Sequence, residues 1–281
     1  MKNRKFVCSL ALALAAGAAN VATAFDQIGD GDRDEALILG DSVAFAYIKS
    51  AGYAYVNPHN FVGFADELAA EARLDVVDAA CPGETTGSFL VSGAPDNGCQ
   101  AYRQHFPLHI DYAATQLDFA RNYLMHHHRV RLVTVTLGAN DGFLLENKCG
   151  TDVACILAGL QSTAANLALI LSDLRATGYG GPIVLTNYYS TDYTDAALTG
   201  LTAALNQAIA APASAYGAVV ADTFSAFAKA AAGAANRPCA AGLLNVSNPS
   251  VPNPPLAYSC DIHPTESGHR LITAAIFAAL H

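Results

Sequence analysis

Apolar runs of strand length alternate along this chain with longer segments of helical period, and no other feature constrains the fold as tightly. Ala36 to Leu39, Leu74 to Ala79, Val130 to Leu137, Pro182 to Thr186 and Ala218 to Ala221 read as strands. Phe64 to Ala72, Asp111 to His127, Val153 to Thr177, Asp195 to Ala211 and Thr265 to Leu280 read as helices. Strands separated by helices are joined by crossovers, which lay neighbouring strands parallel. The pattern predicts an α/β fold, a flavodoxin-like three-layer sandwich with a five-stranded parallel sheet. Ligands of such sheets bind beyond the carboxyl ends of the strands, so the loops that follow the apolar runs are where chemistry is expected. No repeat and no flexible linker divides the chain, and the Pro/Asn-rich stretch from Ser247 to Pro255 reads as a surface loop.

The amino terminus reads as an export signal. Lys2, Arg4 and Lys5 form a basic head, Phe6 to Ala19 are mostly apolar, and Ala22-Thr23-Ala24 offers a small-residue cleavage site. The expected division is a signal peptide over 1–24 and a single folded domain over 25–281, secreted or periplasmic. A membrane anchor is the competing reading, disfavoured because the apolar stretch is short for a span. No other apolar run is expected to span a membrane, since Asp, Asn, Arg or Gln interrupts each one. Removing 1–24 shifts the formal charge from -9 to -12. Such an acidic surface argues against nucleic acid as a partner and against docking on anionic membranes by charge. Oligomeric state is left open.

Cys8 departs with the signal, leaving six of the seven cysteines. An even number in an exported chain favours disulfides over zinc, and no two cysteines stand in C-x-x-C spacing. Six cysteines allow 15 pairings. The simplest joins near neighbours: Cys81 with Cys99, Cys149 with Cys155, and Cys239 with Cys260.

Four short blocks carry residues suited to acyl transfer. Leu39-Gly40-Asp41-Ser42-Val43 ends the first strand and runs into an apparent helix start, which would set Ser42 among free backbone N–H groups; an ordinary helix-capping serine is the plainer alternative. Cys81-Pro82-Gly83-Glu84-Thr85-Thr86-Gly87 follows the second strand, and Gly83 can bring its N–H close to an oxyanion because it has no Cβ; taken alone, a plain Gly turn is the favoured alternative. Leu137-Gly138-Ala139-Asn140-Asp141-Gly142 follows the third, where Asn140 offers a neutral side-chain donor, although Asn in a Gly-flanked turn also has backbone reasons to be there. Cys260-Asp261-Ile262-His263-Pro264-Thr265 places His263 in a loop just before the last helix.

In this order and at these strand ends, the four blocks resemble the SGNH hydrolases, also called GDSL esterases and lipases, over nearly all of the chain beyond the signal. The resemblance implies Ser42 as nucleophile, His263 as general base, and an oxyanion hole made by Ser42, Gly83 and Asn140. The family carries an aspartate three residues before the histidine; here that position is Cys260, and the aspartate is Asp261, two before. Either Asp261 reaches the imidazole by another path of the loop, or a backbone carbonyl near Cys260 orients the ring and the chemistry runs on a Ser-His dyad. The carboxylate is favoured because a charged acceptor stabilises imidazolium better. The implied activity is hydrolysis of carboxylic esters, lipid or simple acyl esters first, with no cofactor and no metal. A polysaccharide O-acetyl esterase and a binding module that no longer turns over are the alternatives. Each expected disulfide has one cysteine in or near a loop that carries a site residue, so the bridges are expected to stiffen them.

Other residues are set aside. Asp41 and Asp141 read as loop-bracing groups. His126-His127-His128 reads as a solvated helix end, because three consecutive helical histidines cannot face one ion. Asp30 to Asp34 begin like a calcium loop, yet Glu35 stands where the turn glycine belongs and Asp41 where the closing glutamate does. His269 reads as a helix-surface residue, and no Gly-rich loop has nucleotide spacing.

Overall fold

The computed structural model describes residues 33–50, 56–247 and 260–281. The expected export signal, most of the acidic lead-in and most of the Pro/Asn-rich stretch lie outside the described residues.

Five strands form one parallel sheet: β1 (Glu35–Gly40), β2 (Asp75–Asp78), β3 (Val130–Thr136), β4 (Ile183–Thr186) and β5 (Ala218–Ala221). Their order is β2-β1-β3-β4-β5, the flavodoxin-like order expected from the alternation. All six residues of β1 are buried, as a central parallel strand covered on both faces requires. The strand order reverses where β1 and β3 run side by side, and the crevice beyond their carboxyl ends is where such a sheet offers a site.

The elements on the two faces are α1 (Phe64–Ala72), α2 (Thr86–Leu90), α3 (Cys99–His105), α4 (Gln116–His126), α5 (Ala139–Cys149), α6 (Val153–Ala176), α7 (Ala196–Ala210), α8 (Thr223–Ala231) and α9 (Glu266–Leu280). One layer is α9 packed on β4 and β5 with α1 and α8 beside it; the other is α6 with α2, α4, α5 and α7 around it. A short antiparallel ribbon, β6 (Leu244–Val246) with β7 (Cys260–Pro264), leads into α9.

Local chemistry explains where the boundaries differ from expectation. The helix expected from Asp111 begins only at Gln116, because Thr115 caps it: Asp118 N–H donates to Thr115 Oγ1 at 3.1 Å while Thr115 N–H donates to Asp118 Oδ2. Ala139–Cys149 forms a helix where the sequence suggests a turn, since Gly138 and Gly142 mask its period. His263 lies on strand β7, not in a loop, because the ribbon with β6 extends the chain right up to Pro264. α6 is long and apolar enough to cross a membrane by length and composition, contrary to the expectation that polar residues break every such run. Its buried side chains, Leu160, Thr163, Leu167, Ile170, Leu171 and Leu174, recur at helical spacing, as for a helix laid on a sheet.

The disulfides pair as the near-neighbour reading has them: Cys81 with Cys99, Cys149 with Cys155, Cys239 with Cys260. They fit an extracellular or otherwise oxidising environment. The first ties the loop after β2 to α3, and the third ties β7 to the segment before β6. Replacing Cys81 and Cys99 together by serine is expected to cost about 2 to 4 kcal/mol of unfolding free energy by urea titration, with the reduced wild type matching the double variant only if its other bridges survive.

Candidate active site

The site is built outward from the end of β1. Gly40 has φ 145°, and a Cβ there would run into the Thr136 carbonyl of β3, so only glycine lets β1 and β3 close at this point. The fully buried Gln116 clamps the same residue: its Oε1 accepts from Gly40 N–H at 2.5 Å and its Nε2 donates to Gly40 O at 3.0 Å. Beyond it the chain makes a single helical turn, Phe45 N–H to Asp41 O at 3.0 Å and Tyr47 N–H to Ser42 O at 2.9 Å. The helix expected to start at Ser42 ends there, because Ala46 turns left-handed at φ 59°. Asp41 stands before the turn and its carboxylate accepts from Val43 N–H at 2.9 Å, from Tyr188 Oη at 2.5 Å and from Asn140 Nδ2 at 3.4 Å. Among the described residues, the backbone N–H and the hydroxyl of Ser42 donate to nothing.

The loop after β2 is drawn to this point by Cys81 N–H, which donates to Gly40 O at 3.0 Å. Gly83 has φ 88°, and a Cβ there would stand 2.6 Å from the Asn97 carbonyl oxygen, so its Cα is pressed against backbone. Its N–H donates to nothing among the described residues. Asn140, on the first turn of α5, is buried and its orientation is fixed: Asn97 Nδ2 donates to its Oδ1 at 2.8 Å, and its own Nδ2 donates to Glu84 O at 3.0 Å. Asp141 faces the other way and braces α2, accepting from Thr86 N–H at 2.9 Å and Thr86 Oγ1 at 2.6 Å.

His263 is buried on β7, and its Nδ1 stands 2.8 Å from Asp261 Oδ1. Asp261 therefore reaches the ring despite its displaced position, because in extended chain residues two apart project to the same side. An Nδ1–H donated to the carboxylate leaves Nε2 as the free acceptor of the neutral ring. Burial alone would raise the Asp261 carboxyl; its hydrogen bond and charge contact with His263, with N–H donors from Ile262 at 2.7 Å and Lys49 at 3.3 Å, hold it below the usual carboxylate range. Tyr189 Oη donates to Ile262 O at 2.6 Å, and the Tyr47 ring meets the imidazole edge-on at 4.9 Å between centroids. No hydrogen bond joins Ser42 Oγ to the His263 ring among the described residues, and Nε2 has no partner there.

Gln116, Tyr188 and Tyr189 escaped the reading of the sequence. Gln116 reaches from α4 across to the end of β1, while Tyr188 and Tyr189 lie just after β4, and none of the three belongs to a recognisable motif. His269 is buried, against expectation, between α9 and α1, and that burial, with the nearby His263, drives its pKa down to about 3. The run His126 to His128 is exposed as expected, with His127 stacked on Tyr123. Among the described residues, Cys81, Glu84 and Cys99 approach as metal ligands do, but both sulfurs are spent in a disulfide and offer no thiolate.

The sequence matches the GDSL-like lipase/acylhydrolase family over residues 38–271. The chain belongs to that family. Its members hydrolyse esters, and all four blocks lie within the matched stretch. Solved structures of similar fold include a lipase from a goat rumen metagenome, 14% identical, with a TM-score of 0.55 over 87% of this chain and 96% of that one. Phospholipase A1 from Streptomyces albidoflavus is 18% identical, with a TM-score of 0.53 over 88% of this chain and 100% of that one. An acetylxylan esterase from Geobacillus stearothermophilus is 14% identical, with a TM-score of 0.51 over 88% and 94%. No curated protein matches the sequence.

Three buried carboxyls and the buried His269 shape the pH response of this GDSL-family fold. The histidine works the other way: its folded pKa of about 3 lets the unfolded chain bind the extra proton up to about 6.5, which offsets part of the carboxyls' decline below that pH. Burial pushes Asp41 up to about 6 against the donors from Tyr188 and Val43, Glu84 up to about 7 against those from Ser88 and Gln116, and Asp78 up to about 8 against Ala80 N–H. A carboxyl raised on folding keeps its proton where the unfolded chain has lost it, so stability falls as pH rises from about 4 and levels off above about 8. Asp261, lowered on folding, contributes stability that is lost only as pH falls below about 4. Urea midpoints are expected to decline between these limits, and Asp78→Asn is expected to flatten the upper part of the slope. A midpoint that climbs across that range would contradict the assignment.

Proposed function

We propose that this GDSL-family chain hydrolyses carboxylic esters through an acyl-serine intermediate on Ser42, with His263 as general base, Asp261 orienting it, and the N–H groups of Ser42 and Gly83 with the Asn140 amide as oxyanion donors. The observation that carries this reading is the buried Asp261–His263 pair, which holds the imidazole with Nε2 unengaged among the described residues. Substrate entry brings the Ser42 hydroxyl and Nε2 together, as catalytic hydrogen bonds that are open in the free enzyme tighten in the complex.

In the first step the Ser42 Oγ–carbonyl carbon bond forms as the Oγ proton passes to His263 Nε2, and the carbonyl electron pair moves to oxygen. That oxyanion meets donors already in place, one of them Asn140 Nδ2, whose long 3.4 Å contact to Asp41 is the one exchanged. The pair returns, the carbon–alkoxide bond breaks, and imidazolium delivers its proton to the departing alcohol. Water then repeats the sequence and releases the acid, restoring Ser42. Lipid or simple acyl esters are the favoured substrates.

We place the enzyme outside the cytoplasm, with 1–24 removed on export, on the strength of the leader's pattern and of three bridges that need an oxidising compartment. Ser42→Ala is expected to abolish hydrolysis of p-nitrophenyl esters, and Asn140→Ala to lower kcat by about a hundred- to a thousandfold with urea stability measured alongside. Undiminished turnover by the Ser42 variant would dismiss the acyl-serine route, and wild-type protein that turns over no ester would favour a binding module.

A further inference from the structure

A cavity of about 180 Å³ opens directly beside Ser42 and Asn140. Its walls are Phe143 and Leu145 from α5, Ile156 and Leu160 from α6, and Leu201 and Leu205 from α7. Polar groups such as Glu146, Thr191 and Thr202 also border it, but the wall is mainly apolar and leaves most hydroxyls of a sugar unmet. Hydrocarbon suits it.

Position decides which half of an ester the cavity takes. The imidazole that protonates the departing alcohol has to lie on the alcohol's side of the carbonyl. The cavity walls α5, α6 and α7 belong to the layer on one face of the sheet, whereas His263 leads into α9 on the other face. Of its ribbon only Ile262 reaches the cavity rim, so the cavity opens from Ser42 away from the layer that carries the imidazole. We propose that this cavity is the acyl-chain subsite and that the enzyme prefers esters of straight aliphatic acids of about six to eight carbons, an engineered apolar cavity of roughly 150 Å³ being enough for the six carbons of benzene. The upper end of that range is reached where the cavity meets solvent at the half-exposed Leu201 and Ile262. The inference rests on the acyl-serine reading above and adds the identity of the acid.

Gly142 keeps the subsite open. It lies on α5, one turn into the helix, and a Cβ added there would meet only Leu205 Cδ2, at an ordinary contact distance of 3.7 Å. A larger side chain at this position is therefore admitted by the fold, and projects into the space the acyl chain needs.

The test varies each half of the ester separately. With p-nitrophenol as the constant leaving group, kcat/KM is expected to rise about fourfold per methylene from acetate to hexanoate and to stop rising beyond about octanoate. With the acyl group held at acetyl, lengthening an n-alkyl alcohol is expected to change kcat/KM by less than about threefold in all. Gly142→Leu is expected to lower kcat/KM for octanoate about tenfold or more while leaving acetate within about threefold. Leu201→Gln, a change at the half-exposed rim that the fold tolerates, is expected to weaken octanoate selectively, and it supplies the answer if Gly142→Leu loses acetate activity as well. Rates that are flat or falling with acyl length, a dependence on the alcohol instead, or a chain-length profile that neither variant alters would overturn the proposal. Ser42→Ala is run on every ester, because activity that survives it condemns the acyl-serine reading itself, whereas Ser42-dependent activity with the wrong chain profile condemns only the subsite.

Discussion

A carboxylate buried where the first strand ends organises everything around it. Among the described residues no ion pair meets Asp41; its oxygens are met by the Val43 N–H, the Tyr188 hydroxyl and the Asn140 amide. Leaving such donors unmet in the interior costs about 1 to 3 kcal/mol each, so one side chain fixes the turn bearing Ser42, the segment after β4 and the start of α5 in mutual position. Desolvation outweighs those donors and lifts its pKa to about 6, so the same group that orders the site works against stability once ionised. Sites often carry such a cost because the geometry they need differs from the geometry that packs best.

A second layer of polar contacts supports the first. Gln116 reaches across from α4 to replace the ladder partners that β1 lacks at its end, bonding both the N–H and the carbonyl of Gly40. Its Nε2 also donates to Glu84 at 3.2 Å, and the Glu84 carbonyl in turn holds Asn140. The loops after β1, β2 and β3 are thereby joined through hydrogen bonds that are buried and mutually dependent. Tyr189 does the equivalent for the ribbon, holding the Ile262 carbonyl so that His263 and Asp261 project together. The chemistry proposed for the site needs donors that do not reorganise during reaction, and a closed network of this kind is how a protein provides them.

Much of this was legible in the sequence because its cause is local. Strand Ala218–Ala221 and helix Phe64–Ala72 fall where period and flanking residues set them, and Gly40 and Gly83 stand where the backbone has no room for a Cβ. Other features depend on contacts that no local pattern records. Asn140 has the sequence surroundings of a loop residue yet is helical, because the glycines around it hide an apolar period that α6 and α7 complete. Asp261 sits one residue from its usual place and still meets the imidazole, because β7 is extended and the two side chains share a face. His269 has the sequence surroundings of a helix-surface residue, yet packing of α9 on α1 buries it. Tyr188 carries no motif at all; only the fold brings it across 147 residues to Asp41.

In the proposed reaction, separate strand ends surround one acyl carbon. The most direct measurement is a crystal structure of the protein after reaction with a fluorophosphonate, which fixes a tetrahedral phosphorus where the ester carbon would be. The expected result is a covalent bond to Oγ of Ser42, a phosphoryl oxygen within hydrogen-bond reach of the N–H groups of Ser42 and Gly83 and of Asn140 Nδ2, and His263 Nε2 turned toward the Ser42 oxygen. Phosphorus on any other residue, or a phosphoryl oxygen directed away from all three donors, would contradict it.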